Sequence, residues 1–464
     1  MKKTMPDALR FSRPFFLLLA LAGCAVGPNY QKPPVETPAA YKEAGDWVVA
    51  KPADAAPKGK WWQAFRDPVL DGLEDRVSVS NQTLKAAEAR YRQAVAAVQL
   101  ARSQFFPTVD ASGNATRSRA NGLTTRRYSV ELNASWEPDL WGRVRRLVES
   151  NRAEEQASAA DVEAARLSLQ AELATDYFQL RATDAAIVLF GDTIKAFQTS
   201  YEMTQNRYRA GVAAKTDVVN AETQLKSTQA QAIDLKATRA QLEHAIAVLV
   251  GEAPSSFSLP AANIETHIAQ VPPGIPSTLL ERRPDVAAAE RRMAAANAQI
   301  GVAEAAYFPS LTLTGSAGFA GSELAKLISA PNRVWSLGLA AAETLLDFGA
   351  RSANVETARA KYDEAVANYR QAALGGFQEV EDNLATLRWL EDESAVQQEA
   401  LRAAREAVAL TLNQYKAGTA SYLNVVVVQA AQLNEERSAV NLLARRLAAS
   451  VALIRALGGS WEAP

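Results

Sequence analysis

The chain has 464 residues, of which 50 are Lys or Arg and 51 are Asp or Glu, giving a formal net charge of −1. That balance argues against a nucleic-acid partner, which calls for a basic surface. Hydrophobic residues reach 48%, yet mean hydropathy is −0.14 and no second long apolar run follows the N-terminus, which excludes a bundle of transmembrane helices.

The N-terminus carries Lys2, Lys3, Arg10 and Arg13, then the short apolar run Phe15 to Ala22, ending in Leu21-Ala22-Gly23-Cys24. An aliphatic residue and two small ones before a cysteine resemble the lipobox of bacterial lipoproteins. Residues 1–23 then read as a signal peptide, and Cys24 as the acylated (palmitate-bearing) first residue of the mature chain. Cys24 is the only cysteine, so no intramolecular disulfide explains it. Ala25 after it, in place of Asp, favours release to the outer membrane. Acylation anchors a chain without spanning.

Residues 24–60 are punctuated by Pro28, Pro33, Pro34, Pro38, Pro52 and Pro57 and read as an extended linker from the lipid anchor. A first repeat occupies 61–250. Helical text runs from near Asp67 to Phe106, where Pro107 stops it. A β-hairpin follows over about 108–137: Thr108 to Thr116 and Tyr128 to Trp136 alternate around the Asn121-Gly122 turn signal. Arg143 to Tyr208 holds one glycine and no proline. A continuous helix there would extend on the order of 100 Å. Leu173, Tyr177, Leu180, Ile187, Phe190, Ile194, Phe197 and Tyr201 fall three, four or seven apart, the spacing of coiled coils. Tyr208-Arg209-Ala210-Gly211 marks a turn at Gly211, and a returning helix runs to about Val250.

Residues 251–283 form a proline-punctuated connector. The second repeat, 284–464, then restates the first. Phe106-Pro107 returns as Phe308-Pro309, Trp141-Gly142 as Phe348-Gly349, and Tyr208-Arg209-Ala210-Gly211 as Tyr415-Lys416-Ala417-Gly418, with a hairpin over about 310–342 and a turn at Gly418. Self-similarity at a fixed period decides architecture before any local pattern does. Four membrane-length strands cannot close a barrel, and an open edge in lipid leaves backbone groups unpaired. The pattern excludes a monomeric barrel without giving the number of copies.

Several stretches carry a specific resemblance: Cys24-Ala25-Val26-Gly27-Pro28-Asn29-Tyr30, Trp61-Trp62-Gln63-Ala64-Phe65-Arg66-Asp67-Pro68, Glu137-Pro138-Asp139-Leu140-Trp141-Gly142-Arg143, Gly274 to Val286 with Arg282-Arg283-Pro284-Asp285, Glu379-Val380-Glu381-Asp382, and Leu457-Gly458-Gly459-Ser460-Trp461. Across essentially the whole chain, it resembles the TolC-like outer membrane factors, in particular their lipoprotein branch serving multidrug (RND-type) efflux pumps. The resemblance implies a mainly α fold with β structure, a duplicated helix–hairpin–long helix repeat. It implies a homotrimer that forms a 12-stranded outer-membrane β-barrel and a 12-helix periplasmic α-barrel. It also implies a periplasmic adaptor and an inner-membrane transporter as partners, and a lipid-anchored outer-membrane location extending into the periplasm. The expected function is the exit duct of a tripartite efflux pump that passively conducts drugs or other small molecules. The alternative is the outer-membrane channel of a type I protein or peptide secretion system, with the same fold.

The resemblance places Gly211 and Gly418 at a periplasmic tip that meets the adaptor. Asp217 after the first tip and Asn424 at the equivalent second position are gate candidates, with helix capping the alternative. Asn424 stands where the family often has Asp, and Val425 to Val428 are more apolar than that pattern. Trp136 and Trp141 read as membrane-interface anchors or as core. Proline after Arg283 and a carboxylate at Asp285 make a helix start. An enzyme reading finds no support: His244 and His267 have no metal-ligand spacing, Gly211 to Thr216 lacks the second glycine of a phosphate loop, and Cys24 is spent on lipid. No cofactor or metal is expected beyond the covalent lipid.

Overall fold

The computed structural model describes residues 25–44, 60–264, 268 and 282–459. Cys24, His267 and most of the Gly274 to Pro284 stretch lie outside them. The chain divides into two compact units. One comprises Met1–Val35, Ala89–Ala160 and Ala288–Gln371; the other comprises Glu36–Glu88, Asp161–Ala287 and Ala372–Pro464. Element order is α1 (Pro68–Ser80), α2 (Gln82–Ser103), β1 (Thr108–Ala120), β2 (Leu123–Trp136), α3 (Arg143–Arg209), α4 (Lys215–Leu249), α5 (Pro284–Ala305), β3 (Ser310–Gly321), β4 (Arg333–Ala342), α6 (Ala350–Lys416) and α7 (Tyr422–Ala456). The two long helices match in length at 67 residues each, and the two returning helices at 35. The fold is the duplicated, mainly helical one expected.

In the first unit the four strands form one antiparallel sheet of order β1-β2-β3-β4. Asn121 and Gly122 both take positive φ, 50° and 79°, as a two-residue turn matched to strand twist demands. The strands run longer than the sequence indicated, 13 and 14 residues in the first hairpin. The added residues are mostly arginine, serine and threonine, whose alternation carries no hydrophobic signal.

In the second unit α1 and the short 3-10 turn Trp61–Phe65 pack on the middle of α3. Leu70, Leu73 and Val77 meet Leu173, Tyr177, Phe178 and Leu180, and Ile246, Leu447 and Val451 close the cluster. Asp67 sets the entry. One carboxylate oxygen accepts the amides of Val69 and Leu70 at 2.8 and 3.2 Å, and the other accepts the Tyr177 hydroxyl at 2.5 Å. The helix does not run unbroken to Phe106. It stops at Asn81, whose backbone is extended. The Asn81 side chain accepts from the Leu84 amide at 3.0 Å and donates to the Leu249 carbonyl at 2.8 Å, so it caps α2 and ties the break to the end of α4.

Of the segment read as a linker, the described residues 25–44 are held against the rest of the chain at two places. In the first unit Val26 to Tyr30 is clasped, as described below. In the second, Tyr41 is buried beside Phe377, Val380 and Leu384, and the Lys42 and Glu43 amides both donate to Glu381. Glu381, within one of the stretches that carry the resemblance, is a docking point for this segment.

Candidate functional site

The sheet has two chemically distinct faces. Register places Ala111 opposite Leu132, Gly113 opposite Val130 and Ala115 opposite Tyr128. The same face continues through Ala317, Phe319 and Leu313 on β3 and Trp335, Leu337 and Leu339 on β4. Trp335, Leu337 and Leu339 are 80%, 78% and 65% exposed within the chain. So large an exposed apolar surface requires a nonaqueous neighbour. The opposite face is polar. Asn133 Nδ2 donates to Asp110 and Ser112 at 3.2 and 2.9 Å, and Ser316 meets Ser336 at 2.8 Å. Strands that alternate apolar-out and polar-in are the pattern of outer-membrane barrels. β1 and β4 each pair on one side only. Inside lipid those free edges must be paired by other strands.

The second candidate element is the pair of helical turns, which the second unit holds together. Gly211 and Gly418 take φ of 76° and 82°. The Val212 amide donates to Arg207 O and the Thr419 amide to Gln414 O, each at 3.0 Å, which closes both helix ends in the same left-handed cap. Tyr415 and Tyr422 pack edge to face with ring centres 5.3 Å apart and share a cluster with Ala221 and Val425. The Arg207 guanidinium lies 4.8 Å from the Tyr415 ring centre. Burial first, then the neighbouring Tyr415, push the Tyr422 phenol up to about 12, so it stays a neutral donor at any physiological pH.

Residues 74–252 and 275–459 match the family model for outer membrane efflux proteins. The chain belongs to the outer membrane efflux protein family. It is 30% identical over 453 residues to the probable efflux pump outer membrane protein TtgC of Pseudomonas putida KT2440, covering 95% of this chain and 93% of TtgC. It is 28% identical over 455 residues to the cation efflux system protein CusC of Escherichia coli O6:H1, covering 97% and 98%. Among solved structures it resembles the outer-membrane channel OprN with a TM-score of 0.86 and 31% identity, over 94% of this chain and 99% of OprN. The protein is therefore an outer-membrane efflux channel, its sheet in the membrane and its helices in the periplasm.

Cys24 lies outside the described residues, and the other sequence-predicted residues fall as follows. Asp217 and Asn424 both occupy the third position of their helices, after Ala214 and Ser421, so neither is the N-cap. Asp217 is half-buried and adds to the rise of the Tyr422 phenol, whereas Asn424 is exposed. The two equivalent positions thus differ in surroundings as well as in charge. Trp136 and Trp141 are not core residues. Both flank the helix-proximal end of the sheet: Trp136 Nε1 donates to Phe105 O at 2.9 Å, and Trp141 Nε1 to Pro309 O at 2.7 Å while its ring stacks on Phe308 at 4.9 Å. Among the described residues, no helix is long and apolar enough to cross a membrane, and no group of side chains could hold a metal ion.

A clasp on the N-terminal segment escaped sequence reading. Arg146, buried on α3, donates to Val26 O at 3.1 Å, Gly27 O at 3.0 Å and Asn29 Oδ1 at 2.9 Å. Asn297 on α5 donates to Pro28 O at 3.0 Å, and Tyr30 to Glu290 at 2.8 Å. A Cβ on Gly142 would meet Ala25 at 2.7 Å, and one on Gly301 would meet Val26 O at 2.7 Å. Only glycine lets the segment lie this close. The one signal available was the Gly27-Pro28-Asn29 motif itself, which names no partner.

Proposed function

We propose that this chain is the exit duct of a tripartite efflux pump, passively conducting small molecules from a periplasmic adaptor and inner-membrane transporter to the exterior. The observation that carries the reading is the sheet with one apolar face, one polar face and two unpaired edges. A homotrimer supplies twelve strands and pairs every edge. The chain performs no catalysis and draws no energy of its own; transport is powered by the inner-membrane partner. The relatives' names speak of toluene, solvent, antibiotic and cation efflux, a breadth that fits a duct doing little chemical selection. The adaptor meets the turns at Gly211 and Gly418, and Asp217 with its tyrosine neighbours lies at the constriction. Deleting the gene is expected to sensitise cells to drugs, solvents or metal ions in plate assays. Unchanged susceptibility together with a lost secreted polypeptide would overturn efflux in favour of secretion.

The clasp supports lipidation at Cys24. Ala25 abuts Gly142, beside Trp141 at the helix-proximal end of the sheet, so an acyl chain on the preceding residue would enter the membrane at its periplasmic surface. Cys24→Ser is expected to abolish labelling by radioactive palmitate. Retained label would sink the assignment.

A further inference from the structure

The tip of the first hairpin carries a charge pattern that conduction does not use. Between Asp110 and Glu131 there is no acidic residue and no lysine, but there are four arginines, at 117, 119, 126 and 127. All four are exposed, and none has an ion pair or side-chain hydrogen bond among the described residues. β2 pairs with β3 only from Tyr128 onward, so residues 123–127 extend past the neighbouring hairpin as a two-stranded ribbon with β1. The acid in the β3–β4 connection, Glu323, is engaged by Lys326 at 2.9 Å.

Register sorts the four. Arg117 lies directly opposite Arg126, and Arg119 is two residues further along the same face. That face is the apolar one, so these three arginines begin where the band of Ala115 and Tyr128 ends. Arg333, across from Phe319, lies on the same face of the same sheet. Arg127 pairs with Thr116 on the polar face. Like charges directly opposite in a hairpin repel, and a counter-charge from outside the chain is what would relieve them.

We propose that Arg117, Arg119 and Arg126 form a basic collar that binds the phosphate groups of lipid A-type glycolipid in the outer leaflet. This rests on the membrane-spanning reading of the sheet. The helices occupy the periplasm, so the hairpin tip reaches the outer surface, at head-group level immediately beyond the apolar band. The guanidinium fork matches phosphate oxygens in a bidentate way that an ammonium does not, and the hairpin uses only arginine. Assembly of several copies repeats the collar around the barrel.

The test uses the full-length assembled protein, reconstituted in phosphatidylcholine vesicles with and without lipid A. Pore conductance verifies insertion, and the temperature at which the assembly dissociates on gels is the readout. Lipid A is expected to raise that temperature for the natural protein and for Arg127→Ser. The triple variant Arg117→Ser/Arg119→Ser/Arg126→Ser is expected to lose most of the rise while still conducting. The corresponding triple lysine variant should keep part of it, which separates charge from folding. An unchanged rise in the serine triple overturns the collar, as does an equal rise with phosphatidylglycerol in place of lipid A. Failure of the natural protein to conduct would instead overturn the membrane reading on which the collar depends.

Discussion

Glu74→Gln is expected to stabilise the protein at pH 7 by about 3 kcal/mol and to have no effect at pH 4.5 or below. Glu74 lies on α1 between Leu73 and Asp75, with its side chain fully buried and neither carboxylate oxygen given a hydrogen-bond partner. Burial, reinforced by Asp75 and Asp71, pushes its carboxyl from 4.5 up to about 9. Of its charged neighbours, Asp75 is itself paired to Lys60 at 2.7 Å. A group whose folded pKa is raised contributes its full stability below the unfolded value, and loses it as pH climbs through the folded one. The natural protein should therefore weaken relative to the glutamine variant by about 1.4 kcal/mol per pH unit between those limits. Glutamine keeps the shape and polarity of the neutral acid but has no proton to lose. Thermal unfolding of both proteins from pH 4.5 to pH 9 reads the divergence. A difference that stays constant with pH would refute the buried neutral acid.

How much was legible in the sequence follows the range of the interactions concerned. The duplication and both glycine turns were readable because each rests on a local pattern: period, motif offset, or a positive φ that Gly211 and Gly418 supply. The hairpins were readable where alternation was apolar, and too short where Arg117, Arg119 and Arg126 took the outward positions. The break at Asn81 was not readable. Its helical neighbours continue the period, and the bond that ties the break to the end of α4 goes to Leu249, 168 residues away. The Arg146 clasp joins residues about 120 positions apart, and the Tyr415–Tyr422 pair faces Thr204 and Arg207 from the other repeat. No local signal encodes such meetings. Glu74 was hidden for the opposite reason, since an acid beside Asp71 and Asp75 on a helix reads as solvated surface.

Arg283→Ala is the second large effect expected, a loss of about 3 kcal/mol, at the lower end of the range for breaking a buried charge pair. Sequence alone gave this stretch a helix start, and Pro284 with Asp285 in the first turn of α5 fills that role. The arginine adds a junction. Its guanidinium donates to Asp285 at 2.6 and 3.0 Å, to Glu379 on α6 at 2.7 Å, and to the carbonyl of Ala456 at the end of α7 at 3.1 Å. Arg283 is buried, whereas the Asp285 and Glu379 side chains are 45% and 43% exposed. Water can therefore recover part of what the two carboxylates lose, which sets the lower figure. The Ala456 carbonyl belongs to a fully buried residue and has no such recourse. Gly458 and its φ of 85° bring the chain after α7 against the Arg282 carbonyl, where a Cβ would sit 2.7 Å away. Two motifs that are far apart in sequence, around Arg283 and around Gly458, thus meet in one joint that fixes the start of α5 and the end of α7 against the middle of α6. Arg283→Lys keeps the charge but loses the fork, and should fall between the natural protein and the alanine variant in thermal unfolding. Equal midpoints for all three would reduce the motif to the helix start that the sequence already showed.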